Sequence, residues 1–215
     1  MSLIDGPRLA PASGTAKSLV VLLHGYGADG NDLIGLGREW ASALPDTAFA
    51  SPHAPEPCVQ NPMGRQWWDL AQRSPEERWK GACRAAPSLE AFLTSEMERT
   101  GLPASRVALV GFSQGTMMAL HVGLRWAEPF AGILGYSGAI AGPEHLKGDL
   151  RSKPPVLLCH GTADQVIPID ALVETVDALA RADVACGWHV AHGLGHGIDG
   201  GGLQIGADML GRVLA

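Results

Sequence analysis

The chain predicts an α/β fold: a mostly parallel, twisted sheet with helices on both faces. Two observations carry this. Short continuous apolar runs, such as Leu19–Leu23, Val107–Val110 and Val156–Cys159, recur along the sequence and lack the polar alternation of a strand with one wet face. Between them lie longer stretches with apolar residues at helical spacing, and strand alternating with helix favours a parallel sheet covered on both sides.

Taken in order, Leu3 to Leu9 is expected as an antiparallel edge strand and Ser18 to Leu23 as a buried one. Asn31 to Leu44 reads as a helix capped by Asn31, with Leu33, Leu36, Trp40 and Leu44 on its apolar face. Thr47 to Ala50 is a short strand. Residues 51–86 break the rhythm. Pro52, Pro55, Pro57, Pro62 and Pro75 interrupt regular structure, while Trp67, Trp68 and Trp79 argue against disorder, so an ordered, lid-like excursion is expected. Pro87 to Thr100 reads as a helix stopped by Gly101. Then follow a strand at Arg106–Val110, a helix at Thr116–Trp126 and a strand at Phe130–Tyr136. A strand at Lys153–His160 precedes a helix at Ile169–Arg181 with Leu172, Val176 and Leu179 inward. Val184–His192 is a strand and Leu203–Leu214 the closing helix. At 215 residues, one domain spanning residues 1–215 is expected.

Composition narrows the function classes. The chain has 16 basic and 22 acidic residues, a net charge of −6, and no Lys/Arg block, which speaks against a nucleic-acid partner. Met1 to Lys17 shows no basic segment leading into an apolar one, and no long apolar stretch follows, so no stable membrane insertion and a cytoplasmic location are expected. Cys58, Cys83, Cys159 and Cys186 form no CxxC pair, which argues against a zinc or thioredoxin-type site. Cys159 and Cys186 read as small core residues of strands. Cys58 and Cys83 flank the irregular segment, and whether they pair is open. The 8 histidines show no firm ligand spacing, and neither a metal nor a cofactor is expected.

Gly111-Phe112-Ser113-Gln114-Gly115 lies between an apolar, β-prone run and a helix. Strand, sharp turn, helix is the setting in which Gly-x-Ser-x-Gly holds a serine out of the sheet; side chains at the glycines would collide with neighbouring backbone. A serine hydroxyl is a poor nucleophile until a base takes its proton. Imidazole can serve as that base and then as an acid, and a carboxylate orients it and stabilises its charged form. Asp164, in the loop after Val156–His160, and His196, in Gly193-Leu194-Gly195-His196-Gly197, supply both. Ser, then Asp, then His is the chain order of α/β-hydrolases. His192 is a rival base, and Asp170 a rival acid that reads as a helix first-turn residue. The loop after an early strand and the residue after the nucleophile usually provide the backbone N–H groups that hold an oxyanion; these fall on Tyr26 and Gln114. His24 reads as a turn residue whose imidazole pairs with backbone.

Leu22-Leu23-His24-Gly25-Tyr26-Gly27-Ala28-Asp29, Gly111–Gly115, His160-Gly161-Thr162-Ala163-Asp164 and Gly193–His196 together resemble the phospholipase/carboxylesterase family, which includes bacterial carboxylesterases and acyl-protein thioesterases. The resemblance runs from about Leu19 to the C-terminus. It implies an α/β-hydrolase fold and cofactor-free hydrolysis of esters or thioesters by Ser113, Asp164 and His196 through an acyl-enzyme. Short- to medium-chain esters are the first expectation; an acyl-protein thioesterase or lysophospholipase is the alternative. Use of the same triad for acyl transfer, or a non-catalytic module that binds ligands, are readings from other classes. Arg65-Gln66-Trp67-Trp68-Asp69-Leu70 resembles the family's lid-like stretch, which implies Trp67, Trp68 and Leu70 as pocket lining; the other reading is that the rings pin the excursion to the domain. Val166 and Ile167 are further pocket candidates. Tyr26 departs from the Leu of many members, a change that leaves a main-chain role intact. Pairing into a homodimer is left open by the resemblance.

Overall fold

The computed structural model describes residues 4–71 and 74–215. Among the described residues nine strands are formed: β1 (Arg8–Leu9), β2 (Ser18–Leu23), β3 (Thr47–Ala50), β4 (Glu56–Pro57), β5 (Arg65–Gln66), β6 (Val107–Phe112), β7 (Gly132–Tyr136), β8 (Val156–Gly161) and β9 (Cys186–Ala191). The helices are α1 (Gly30–Trp40), α2 (Pro75–Thr100), α3 (Gln114–Gly123), α4 (Leu146–Asp149), α5 (Asp170–Arg181) and α6 (Gly200–Val213). Seven strands make one sheet in the order β1-β3-β2-β6-β7-β8-β9. Every neighbouring pair is parallel except β1 with β3.

Because successive strand residues point to opposite faces, the continuous apolar runs feed two cores at once. Leu19, Val21 and Leu23 of β2, with Leu109, Ile133 and Leu158, pack under α2, α3 and α5 through residues such as Leu89, Phe92, Met118 and Leu179. Val20 and Leu22, with Ala108, Val110, Leu134 and Tyr136, meet Leu33, Ile34 and Trp40 of α1 and Met209 and Leu210 of α6. The alternating pattern predicts this mostly parallel sheet with helices on both faces, and the arrangement is the α/β-hydrolase fold that the family resemblance implies.

Several boundaries differ from the sequence-based expectation. Helix α1 starts at Gly30 and is capped by Asp29, not Asn31: the Asp29 carboxylate accepts the main-chain N–H groups of Asn31 and Asp32. It ends at Trp40, and Leu44 lies past it. The antiparallel edge strand shrinks to Arg8–Leu9, although Pro7 and Asp5 still accept N–H groups from Ser51 and His53; Leu3 lies outside the described residues. Helix α2 begins at Pro75, so Pro87 sits within it and does not start it. Ser74 caps this helix by accepting the Glu77 N–H, with Pro75 in its first turn and Glu76 and Glu77 beside the positive helix end. The irregular stretch is therefore shorter than residues 51–86 and contains the small hairpin β4–β5. Cys186 is only partly buried, because β9 is the sheet edge, whereas Cys159 is in the core. Cys58 is buried and Cys83 exposed, and all 4 thiols are free.

Candidate active site

Strand β6 ends at Phe112, and Ser113 turns the chain into α3 with φ 55° and ψ −116°, a strained conformation for a residue with a side chain. The surroundings over-determine it. The Ser113 N–H donates to Tyr136 O at 2.9 Å, and Thr116 Oγ1 lies 2.8 Å from Gly111 O and 2.9 Å from Tyr136 O. A Cβ on Gly115 would stand 1.8 Å from Leu23 O, and one on Gly111 would stand 2.4 Å from the Gly115 carbonyl. Both glycines are there because the helix start is pressed against strand backbone.

His196 Nε2 lies 3.0 Å from Ser113 Oγ, and its Nδ1 lies 2.7 Å from Asp164 Oδ2. The structure thus brings together the three side chains singled out from β6, the loop after β8 and the loop after β9. Asp164 Oδ1 accepts the N–H groups of Val166 and Ile167 at 2.8 and 2.9 Å. Burial opposes ionisation of this carboxyl, but the bonds from His196, Ile167 and Val166 outweigh it and hold its pKa below the usual carboxylate range. His160 Nε2 donates to Ile167 O at 2.8 Å and so shapes the same turn, a contribution that its position at a strand end did not reveal. Ser137 Oγ donates to Gly197 O at 2.9 Å and ties the His196 loop to the end of β7. Of the rivals, His192 is exposed, and Asp170, the first residue of α5, borders the same cavity while Asp164 is the carboxylate that meets His196. Asp199 caps α6 by accepting the Gly202 N–H.

Tyr26 and Gln114 border the same cavity as Ser113 and His196. Among the described residues, neither of their main-chain N–H groups meets a hydrogen-bond acceptor. Burial, with the Cys58 thiol adjacent, pushes the Tyr26 phenol up to about 12, so it stays neutral and is no base at ordinary pH. His24 is fully buried: its Nδ1 donates to Gly25 O and its Nε2 accepts the Ala54 N–H. Burial pushes its pKa down to about 4, which keeps it a neutral structural residue.

The cavity has a volume of about 470 Å³. Leu70, Met117, Val166, Ile167 and Ala171 give it apolar walls, while Arg78, Asp170 and Glu174 bring charge to its border. Leu70 and Val166 are among the expected lining residues. Trp67 and Trp68, also expected there, are not: each is about 1 % exposed and turned into the core. The Trp67 indole bonds inward to His24 O, and Trp68 packs against Gly81 of α2. Trp79 is held away from the cavity, stacked on His145 at 4.2 Å between ring centroids. Trp67 and Trp68 thus pin the excursion to the domain instead of lining the cavity. Arg78, Met117 and Glu174 were missed; Ser74-Pro75-Glu76-Glu77, a helix start, was the signal that could have placed Arg78 on a regular element.

A parallel sheet with a strained serine elbow at a central strand's carboxyl end, faced by an aspartate–histidine pair, defines an α/β-hydrolase. The chain belongs to the phospholipase/carboxylesterase family, whose model matches residues 5–213. Membership makes it a carboxylic ester hydrolase by class. It is 31% identical over 171 residues to acyl-protein thioesterase 1 of Yarrowia lipolytica, covering 74% of this chain and 75% of that relative. The crystal structure of esterase PE8 superposes with a TM-score of 0.96 at 45% identity, over 99% of this chain and 100% of that one. SOBER1 of Arabidopsis thaliana has a TM-score of 0.83 at 24% identity, over 92% of this chain and 99% of that one, a likeness that carries the fold alone.

Proposed function

We propose that the protein is a serine carboxylesterase that hydrolyses short- to medium-chain carboxylic esters through Ser113, His196 and Asp164. The observation that carries the reading is the hydrogen-bonded run Ser113 Oγ–His196 Nε2 and His196 Nδ1–Asp164 Oδ2 at one side of a largely apolar cavity. In the first step His196 Nε2 takes the Ser113 proton as Oγ attacks the ester carbonyl carbon. The carbonyl oxygen becomes an oxyanion, received by the N–H groups of Tyr26 and Gln114, which donate to no other protein group among the described residues. Asp164 stabilises the imidazolium. Collapse releases the alcohol, protonated by His196, and leaves the acyl group on Ser113. Water then attacks with His196 again as base, and the acid leaves with Ser113 restored.

The similarity to the Yarrowia thioesterase supports thioesters as the second substrate class, since the same steps release a thiol in place of an alcohol. The proposal extends to one working domain over residues 1–215, in which every triad residue follows a strand of one sheet, and to a cytoplasmic setting, in keeping with the free thiols. The test is hydrolysis of p-nitrophenyl esters of graded acyl length by wild type and Ser113→Ala. We expect an optimum among the shorter acyl chains and its loss in the variant. Residual activity above about one part in a thousand would remove Ser113 from the nucleophile role.

A further inference from the structure

The oxyanion donors sit on two separate stretches of backbone. Tyr26 belongs to the loop leaving β2, Gln114 to the start of α3. Where β2 and β6 end, the sheet no longer sets their spacing, and one residue from the excursion bridges them. The Trp67 indole Nε1–H donates to His24 O at 3.0 Å, on the first stretch. The Trp67 main-chain N–H donates to the side-chain Oε1 of Gln114 at 2.9 Å, on the second. The other end of that amide, Nε2, donates to Trp68 O at 2.9 Å, so the Gln114 side chain is held from both sides. Trp67 and Gln114 are 1 % and 2 % exposed, so water cannot replace any bond that is lost. Arg65, just before, exchanges main-chain bonds with the same loop: its N–H donates to Ala28 O and its carbonyl accepts from Gly27.

We propose that Trp67, acting through the Gln114 side-chain amide and the His24 carbonyl, is a positioning residue of the oxyanion hole. It holds the Tyr26 and Gln114 N–H groups at the separation the tetrahedral intermediate requires. The inference rests on the hydrolase reading above. Preorganised donors lower a barrier only when they point at the oxyanion before it forms, and an error of about 1 Å is felt as about a hundredfold in rate. Trp67 forms no wall of the cavity, so loosening the brace affects the transition state and leaves ground-state binding alone.

Trp68 supplies the control. It is adjacent, the same size and equally buried, yet its indole Nε1 has no hydrogen-bond partner among the described residues. Trp67→Phe and Trp68→Phe therefore delete comparable volumes, but only the first deletes a bond to the oxyanion loop. In the full chain, kcat and KM on p-nitrophenyl butyrate, inhibition by an alkyl trifluoromethyl ketone and the thermal midpoint are measured for both. The ketone reports on the hole directly: Ser113 Oγ adds to its carbonyl carbon, the hydroxyl proton passes to His196 and the carbonyl oxygen becomes the oxyanion. For Trp67→Phe we expect kcat to fall about tenfold with KM within about twofold of wild type, and the ketone's inhibition constant to rise in step. Trp68→Phe should keep kcat and the inhibition constant within about twofold even if its midpoint drops. Equal kinetic losses in the two variants, or a Trp67→Phe effect confined to KM, would overturn the brace. If Trp67→Phe does not fold, Gln114→Met, which keeps its main-chain N–H, carries the test: lowered kcat at constant KM supports the brace, and unchanged kcat refutes it. A wild type inactive on every ester overturns the hydrolase reading and the brace with it, whereas an active wild type with indistinguishable variants overturns the brace alone.

Discussion

At the scale of single residues, the elbow shows how little room the reaction geometry leaves. Ser113 sits at φ 55°, and Gly115 lies where a Cβ would come within 1.8 Å of Leu23 O. Because the obstacle is strand backbone and not the tip of a flexible side chain, it cannot swing away. Gly115→Ala should therefore cost about 3 kcal/mol or more, read as a lowered denaturant midpoint or absence of folded protein. A variant as stable as wild type would mean that the helix start can slide outward. The elbow and its partners were legible in the sequence because each lies beside its own local signal, a strand end or a Gly-rich loop. The orientation of Trp67 was not. Whether a ring at that position faces the cavity or the His24 carbonyl depends on how the chain turns between β5 and α2, and no local pattern encodes that turn.

At the scale of elements, α2 is the instructive case. Proline usually marks a helix start, and Pro87 suggested one, yet the helix runs from Pro75 to Thr100 through it. Burial of Leu89, Phe92 and Leu93 in the core outweighs the missing N–H and the ring's crowding of the preceding turn. The carbonyl left without its helical donor belongs to Cys83, which is exposed and open to water. Pro87→Ala restores that donor and should stabilise the protein by about 1–2 kcal/mol, after allowing for the greater freedom of the unfolded chain. The check is the urea midpoint; a decrease would mean that the core packs against a bend the proline sets. Glu96, farther along α2 and buried, receives Arg8 at 2.7 Å and Arg99 at 2.6 Å, which anchors the edge strand β1 to this helix. Such an ion cluster between elements distant in sequence leaves no mark on the residues around either partner.

At the scale of the whole molecule, buried histidines set how stability responds to acid. His24, in the loop that follows β2, and His121 of α3, beside Trp79, are each pushed down to about 4, in both cases mainly by burial. In the unfolded chain they return to the ordinary value of 6.5. Between those values the unfolded state binds more protons than the folded one, so stability is complete above about pH 6.5 and falls as the pH drops toward about 4. Urea midpoints across that window should decline accordingly. His121→Phe, which keeps a ring against Trp79, should make the decline shallower; an unchanged slope would show that other groups cause it.

The sequence by itself determined the fold class and pointed to Ser113, Asp164 and His196. Apolar periodicity and turn chemistry are local, and strands that alternate with helices have few ways to close a core. The tertiary structure decided which rings of the excursion face inward, that Arg78, Met117 and Glu174 border the cavity, and that Trp67 hydrogen-bonds both the His24 carbonyl and the Gln114 side chain. Those outcomes depend on contacts between residues such as Trp67 and Gln114, far apart in the chain, whose meeting is set by packing of the whole and by no pattern near either of them.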